Sequence, residues 1–115
     1  MTTLSIHPEY CAQIRDGVKR FEYRSWPTDH RGPLLIASTT RPPHPGCPCS
    51  SAVVIVDVTD CQPHRGGFAW SLANPTPIPE PVRIRGQLNL YQFTHPVVEK
   101  ALQAHLAKSK RHARL

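Results

Sequence analysis

Lys19, Glu22, Arg24 and Trp26 stand within one short stretch, with Arg20 among them. Gly17, a residue able to stop a helix, comes just before, and the residues after it read as a strand. Side chains alternate faces along a strand. Arg20, Glu22, Arg24 and Trp26 therefore share one face, with Lys19 at its mouth. Phe21 and Tyr23 take the other face, which reads as core. Two guanidiniums beside an indole suit a planar, anionic ligand such as a nucleotide or a nucleic-acid strand, because the cations meet phosphate and the indole offers a stacking surface. A solvated strand face is the plainer alternative, with Glu22 in a surface ion pair worth under about 1 kcal/mol. That alternative has no use for the tryptophan. Lys19 and Glu22 also form a candidate catalytic pair, in which a lysine in a partly dry cleft serves as base. A neighbouring carboxylate stabilises the ammonium and opposes this, so Glu22 reads first as a residue that positions Lys19 or Arg24.

The rest of the chain sets limits on that chemistry. A length of 115 residues, with 39% hydrophobic and 19% charged residues, fits one domain with one core. Thirteen prolines are more than twice the average usage and favour short strands joined by rigid loops. The net charge of +6 favours a polyanionic partner, nucleic acid before membrane. Part of that excess is local, since Lys108, Lys110, Arg111 and Arg114 crowd the last residues. No stretch approaches the roughly 20 apolar residues of a membrane span, and Met1 to Leu4 show no start of a secretory signal. The expected setting is the cytoplasm, with Cys11, Cys47, Cys49 and Cys61 reduced.

Thr2 to Ile6 reads as a first strand, and Pro8 opens a helix whose buried stripe is Cys11, Ile14 and Val18. The strand with the charged row is next, then a loop from Trp26 to Pro33 and a buried strand from Leu34 to Ser38. Arg41 to Ser50 is an irregular proline-rich loop. Ala52 to Val58 is β-branched and apolar, a central strand. Cys61 to Gly67 reads as a loop, and Phe68 to Leu72 as a strand with Phe68, Trp70 and Leu72 on one face. Asn74 to Pro81 carries proline at every second position and must be extended, at an edge or outside the sheet. Val82 to Ile84 and Leu88 to Phe93 are short strands. Pro96 opens a second helix with Val98, Leu102 and Leu106 facing inward. This order predicts an α+β domain over residues 1–107, built on a small, mostly antiparallel β-barrel with an early and a late helix. A basic tail follows at 108–115, with its last few residues expected to fray.

The run from Gly17 to Thr28, joined to Arg31-Gly32-Pro33-Leu34-Leu35-Ile36-Ala37-Ser38, resembles the ASCH domain, a branch of the PUA-like fold. A second segment, Phe68-Ala69-Trp70 with Asn74-Pro75 and then Pro81 to Tyr91, is similar to the family's late pattern, with Tyr91 where tryptophan is more usual. The resemblance spans roughly residues 3 to 93 and is nearest to the cointegrator type, the C-terminal ASCH domain of the activating signal cointegrator of transcription. It implies a PUA-like β-barrel with a cleft lined by Lys19, Glu22, Arg24 and Trp26. It also implies binding of RNA, with DNA kept open by the cointegrator type. Two enzymatic branches exist. An acetylcytidine amidohydrolase uses a lysine and a threonine three residues on, where this chain has Lys19 and Glu22. A ribonuclease branch uses Tyr, Lys and Ser, of which Lys19 alone is matched here.

The resulting expectation is a nucleic-acid-binding protein whose cleft uses Lys19, Arg20, Glu22, Arg24, Trp26 and Thr28, with Arg31 and Arg85 extending the basic rim. Arg24 and Lys19 take phosphate or a base edge, Trp26 stacks or walls the cleft, and Glu22 orients the cations or accepts from a base amino group. The alternatives are a hydrolase on a modified nucleoside or RNA, with Lys19 and Glu22 catalytic, and a protein-interaction module using the proline-rich loops. No metal or other cofactor is expected. His44, Cys47, Cys49, Cys61 and His64 include zinc-ligand types, but one residue between Cys47 and Cys49 is a poor ligand spacing. A monomer is the default.

Overall fold

Two apolar runs, Leu34–Ala37 and Ala52–Val58, form the centre of the molecule. The structure is a computed structural model describing the backbone of residues 1–113 and the side chains of residues 1–108. In chain order the elements are β1 (Thr2–Ile6), α1 (Pro8–Arg15), β2 (Phe21–Arg24), β3 (Gly32–Ser38), β4 (Ser51–His64), β5 (Gly67–Arg83), β6 (Leu90–Gln92) and α2 (Pro96–Ala113). The strands form one mixed sheet in the order β2-β5-β4-β3-β1-β6, curled into a half-barrel. β1 runs parallel to β3; the other pairings are antiparallel. This is the α+β architecture that the sequence predicts.

Leu34–Ala37 of β3 and Ala52–Val56 of β4 are apolar because both faces of the sheet are covered there. Leu34, Ile36, Val54 and Val56 pack with Leu4, Cys11, Ile14 and Trp70 on the side of α1. Leu35, Ala37 and Ile55 pack with Val82, Tyr91, Val98 and Ala101 on the side of α2. α1 ends at Arg15, one turn earlier than the expected stripe requires, so Val18 is exposed.

The β4–β5 pairing runs further than the sequence suggested. Cys61 to Gly67, expected as a loop, is strand to His64 and then a two-residue turn at Arg65-Gly66. Both turn residues have positive φ, 46° and 79°, the conformation that suits the twist of a tight hairpin. The alternating prolines of β5 are extended, as expected, and pair with β4 only, since β2 covers β5 just from Phe68 to Ser71. Val82 and Arg83 finish β5 and do not form a separate strand, while Leu88 stands exposed outside β6.

α2 presents Val98, Ala101, Leu102 and His105 to the sheet, and Leu106 is turned outward, contrary to the expected stripe. His105 is fully buried. It donates from Nε2 to Asp57 Oδ1 at 2.8 Å, and its Nδ1 shares a hydrogen bond of 2.7 Å with Thr76 Oγ1. Asp57 Oδ2 accepts from Asn74 Nδ2 at 3.0 Å. Asn74 holds φ +56° at a bulge where β5 carries one more residue than β4 between the pairs Ile55↔Thr76 and Asp57↔Ala73. The bulge thereby aims the Asn74 amide at Asp57. The expected basic tail begins on this helix, where Lys108 Nζ donates to the Pro75 carbonyl at 2.9 Å. The side chains of Lys110 and Arg111, and the whole of Arg114 and Leu115, lie outside the described residues.

This network yields a stability prediction. His105→Ala removes partners from Asp57 and Thr76 and leaves a cavity, and is expected to cost about 2–4 kcal/mol. Thr76→Val removes one hydrogen bond and should cost about 1 kcal/mol. Urea denaturation of the two variants measures both.

Candidate functional site

The end of α1 sets the site. Gly17, at φ +77°, donates from its N–H to Ile14 O at 3.1 Å, and the N–H groups of Val18 and Lys19 both reach Gln13 O, at 2.9 and 3.0 Å. This tight C-terminal turn places Lys19 directly ahead of β2. The Lys19 ammonium lies over two rings, 5.2 Å from the centroid of Tyr10 and 4.9 Å from that of Tyr23. Arg20 is exposed, while its carbonyl accepts from the Leu72 N–H at 2.9 Å and extends the β2–β5 pairing.

β2 alternates as expected, but its faces are the reverse of those expected. Glu22 is 7% exposed, whereas Phe21 and Tyr23 are 44% and 50% exposed. The charged row therefore points into the half-barrel and the aromatic row points to solvent. In the register, Glu22 lies opposite Trp70 and Arg24 opposite Phe68. Arg24 Nη2 donates to the Ser5 carbonyl at 3.2 Å, and Glu22 Oε1 accepts from the Tyr23 N–H at 3.0 Å. Two buried atoms of the row, Glu22 Oε2 and Arg24 Nε, have no hydrogen-bond partner. Burial pushes the Glu22 carboxyl above its usual range, outweighing the pull downward from Arg24, Lys19, the Tyr23 N–H and His7.

Trp26 continues the row and is half-buried against the core. It packs edge-on against Trp70 at 4.8 Å, and its carbonyl accepts from Trp70 Nε1 at 3.3 Å. Thr28 is buried and holds the next loop, accepting from the His30 N–H at 3.0 Å. Arg31 folds back on that loop, donating to the carbonyls of Thr28 and His30 at 3.0 and 2.9 Å. Lys19, Glu22 and Arg24 thus come together, with Trp26 and Thr28 behind them, while Arg20 is outside and Arg31 is occupied in its own turn.

Arg85 lies across Ser5 from this cluster. A cleft of about 760 Å³ is lined by Ser5, Ser38, Thr39, Thr40, Arg83 and Arg85, among others. Ser5 therefore joins two groups of arginines: its carbonyl holds Arg24, its side chain borders the Arg83–Arg85 cleft, and its hydroxyl meets Tyr91 Oη at 2.5 Å. A second concavity of about 690 Å³, lined by Tyr23, Arg24, His64 and Arg65, opens on the other side of Arg24. The sequence pattern does not single out Ser5, Tyr10 or Arg65, because no local motif marks them, and it raises His64 only as a zinc-ligand type. Gly67 is required here, since a Cβ at that position would come 2.7 Å from the Arg24 carbonyl.

The cysteines do not join this cluster as reactive groups. Cys11 is buried, its Sγ set 3.5 Å from the carbonyls of Ile6 and Ala37, and burial pushes the thiol up, which suits a core residue and not a nucleophile. Among the described residues no three of His, Cys, Asp and Glu gather as metal ligands.

Comparison with known proteins agrees with this fold. A family model for the ASCH domain matches residues 4–78. Activating signal cointegrator 1 of Homo sapiens and of Mus musculus are each 48% identical over 42 residues, 36% of this chain and 7% of theirs. The chain therefore corresponds to a small part of those relatives. Among solved structures, the ASCH protein of Zymomonas mobilis superposes with a TM-score of 0.65 at 14% identity, covering 89% of this chain and 93% of that one. A substituted variant of the same protein gives 0.63 over 89% and 96%. At that identity the likeness bears on the fold alone, which is the PUA-like half-barrel. The family match covers more than half of the chain, and this chain belongs to the ASCH domain family.

Proposed function

We propose that this protein binds nucleic acid through the Lys19–Glu22–Arg24 cluster and the arginine-lined clefts on either side of Arg24. The observation that carries the reading is the pair of unpartnered buried atoms, Glu22 Oε2 and Arg24 Nε. A buried donor or acceptor left unmade costs about 1–3 kcal/mol. An acceptor and a donor on the same strand face suit the edge of a nucleobase, which presents both functions within one plane. Lys19 and the arginines supply the cations for the flanking phosphates. RNA is favoured over duplex DNA, because unstacked bases expose the edges that such a pair reads. Trp26 acts as a wall that fixes the row from behind. The protein acts as a monomer in the cytoplasm, where its four free thiols stay reduced. No helix among the described residues is long and apolar enough to cross a membrane.

A second reading is hydrolysis of a modified nucleoside or of RNA. It is favoured by Glu22, whose raised carboxyl beside Lys19 resembles a tuned acid–base pair. Turnover of acetylated cytidine or of RNA, abolished in Lys19→Ala, supports catalysis; absence of turnover with binding retained supports the binding module.

Binding of labelled single-stranded RNA and of duplex DNA across a salt series tests the main reading. Arg24→Ala is expected to weaken binding by tenfold or more. Lys19→Ala should lower affinity for all sequences alike and reduce the salt slope by about 1. Unchanged affinity in both variants overturns the site.

Glu22 gives a pH prediction. Its folded pKa lies above the unfolded value, so the folded state binds the proton more tightly and this group favours folding at low pH. That contribution disappears as pH rises from the unfolded value of 4.5 through the raised folded value. Glu22→Gln should therefore raise the melting temperature by a few degrees at pH 7, with the gain shrinking toward pH 4, while nucleic-acid affinity falls. Thermal melts of the two proteins across that range provide the measurement.

A further inference from the structure

The outer face of β2, expected as core, is the aromatic surface of the molecule. Tyr10, Phe21 and Tyr23 are the exposed large aromatic side chains among the described residues. They are linked into one path. His7 stacks on Tyr10 at 6.1 Å and an interplanar angle of 10°. The Lys19 ammonium bridges Tyr10 and Tyr23. Tyr23 then meets Phe21 at 6.4 Å on one side and His64 at 5.0 Å on the other. Arg65 comes after His64 in the hairpin turn, and Tyr23, Arg24, His64 and Arg65 all line the concavity of about 690 Å³.

We propose that this path of rings and cations is a stacking platform for single-stranded nucleic acid, laid along β2 from His7 to His64 and continuous with the Arg24 cleft. The inference rests on the nucleic-acid reading of the Arg24 cluster and names the form of ligand. Contiguous exposed rings of this kind mark an interaction surface. Their occupant is set by the cation that lies between them. An apolar protein or membrane partner would have to desolvate the Lys19 ammonium, which sits within the path and not at its rim. A single strand meets both features at once, with base faces on the rings and phosphates on the cations. A duplex keeps its base faces inside its own stack and has nothing to offer the rings. The sheet order supports the same occupant, since β2 is the outermost strand and its solvent face is open along its length to a linear ligand.

Fluorescence anisotropy at one fixed salt concentration tests the platform with three labelled probes: single-stranded RNA, an abasic phosphodiester strand of equal length, and duplex RNA. The proteins are wild type, Tyr10→Ser with Tyr23→Thr, Tyr10→Phe with Tyr23→Phe, and Arg24→Ala, each checked by thermal melting. The Ser/Thr variant should lose tenfold or more in affinity for single-stranded RNA while keeping its weaker affinity for the abasic strand and duplex. The phenylalanine variant should bind like wild type. A folded Ser/Thr variant that retains full single-strand affinity overturns the platform, and so does a wild type that binds the abasic strand as tightly as RNA. Should the double variant melt early, Tyr23→Thr alone is measured and should lose at least threefold; no loss overturns the platform. Loss in Arg24→Ala with the Ser/Thr variant intact removes the platform and leaves the cleft. A wild type that binds none of the probes removes both.

Discussion

The register between β2 and β5 is the constraint on which the site depends. A strand's two faces are exchanged by a shift of one residue. Glu22 opposite Trp70 sends the charged row inward and the aromatic row outward; the neighbouring register would bury Phe21 and Tyr23 and leave an ordinary charged surface. Three contacts pin the observed pairing. The Leu72 N–H reaches the Arg20 carbonyl, the Trp70 indole reaches the Trp26 carbonyl, and the backbone of Gly67 approaches the Arg24 carbonyl where no side chain fits. Each engages a backbone carbonyl of the row, so the side chains of Glu22 and Arg24 are left with unspent hydrogen-bonding capacity.

A second anchor works from the opposite face of the sheet. His105 brings α2 onto the β4–β5 bulge through Asp57 and Thr76, and Asn74 completes the set. Buried polar groups that are all paired specify one arrangement. Here they fix where β5 bends, and therefore where Leu72 and Trp70 stand when β2 pairs with them. The polar network behind the sheet and the polar row inside the half-barrel are thus opposite in kind. One is satisfied within the chain, and the other retains an acceptor and a donor.

The sequence made the order of elements legible because β-branched runs, prolines and helix caps act locally. β1, β3 and the centre of β4 stand where the pattern of apolar residues puts them, and the alternating prolines of β5 lie on a strand edge as their missing N–H groups demand. The row Arg20, Glu22, Arg24, with Lys19 at its mouth, was also legible, as residue types at strand spacing. The direction in which the row faces was not. Period two gives the alternation but not the sign, and hydrophobicity alone assigns Phe21 and Tyr23 to the core. The sign is decided by long-range partners, Ser5 and Trp70, that no local window contains. His105 was hidden for a similar reason. On a helix, a histidine three residues after Leu102 looks like a polar-face residue until Asp57 and Thr76 are brought beneath it.

The reversal of faces also changes which ring of this segment stands toward solvent. Trp26 carries the largest ring in the segment, yet its edge is held against Trp70 and its backbone is tied to the same indole. A ring fixed on both counts braces the row, packed as it is against the core. Tyr23 is smaller but half exposed, with Lys19 on one side and His64 on the other. Adjacent residues on one short strand therefore divide the work: Glu22 and Arg24 present unpaired polar atoms inward, and Phe21 and Tyr23 present ring faces outward. Because the two rows share a backbone only four residues long, a ligand strand that crosses the edge of β2 can reach both. That geometry favours a flexible single strand over a rigid duplex.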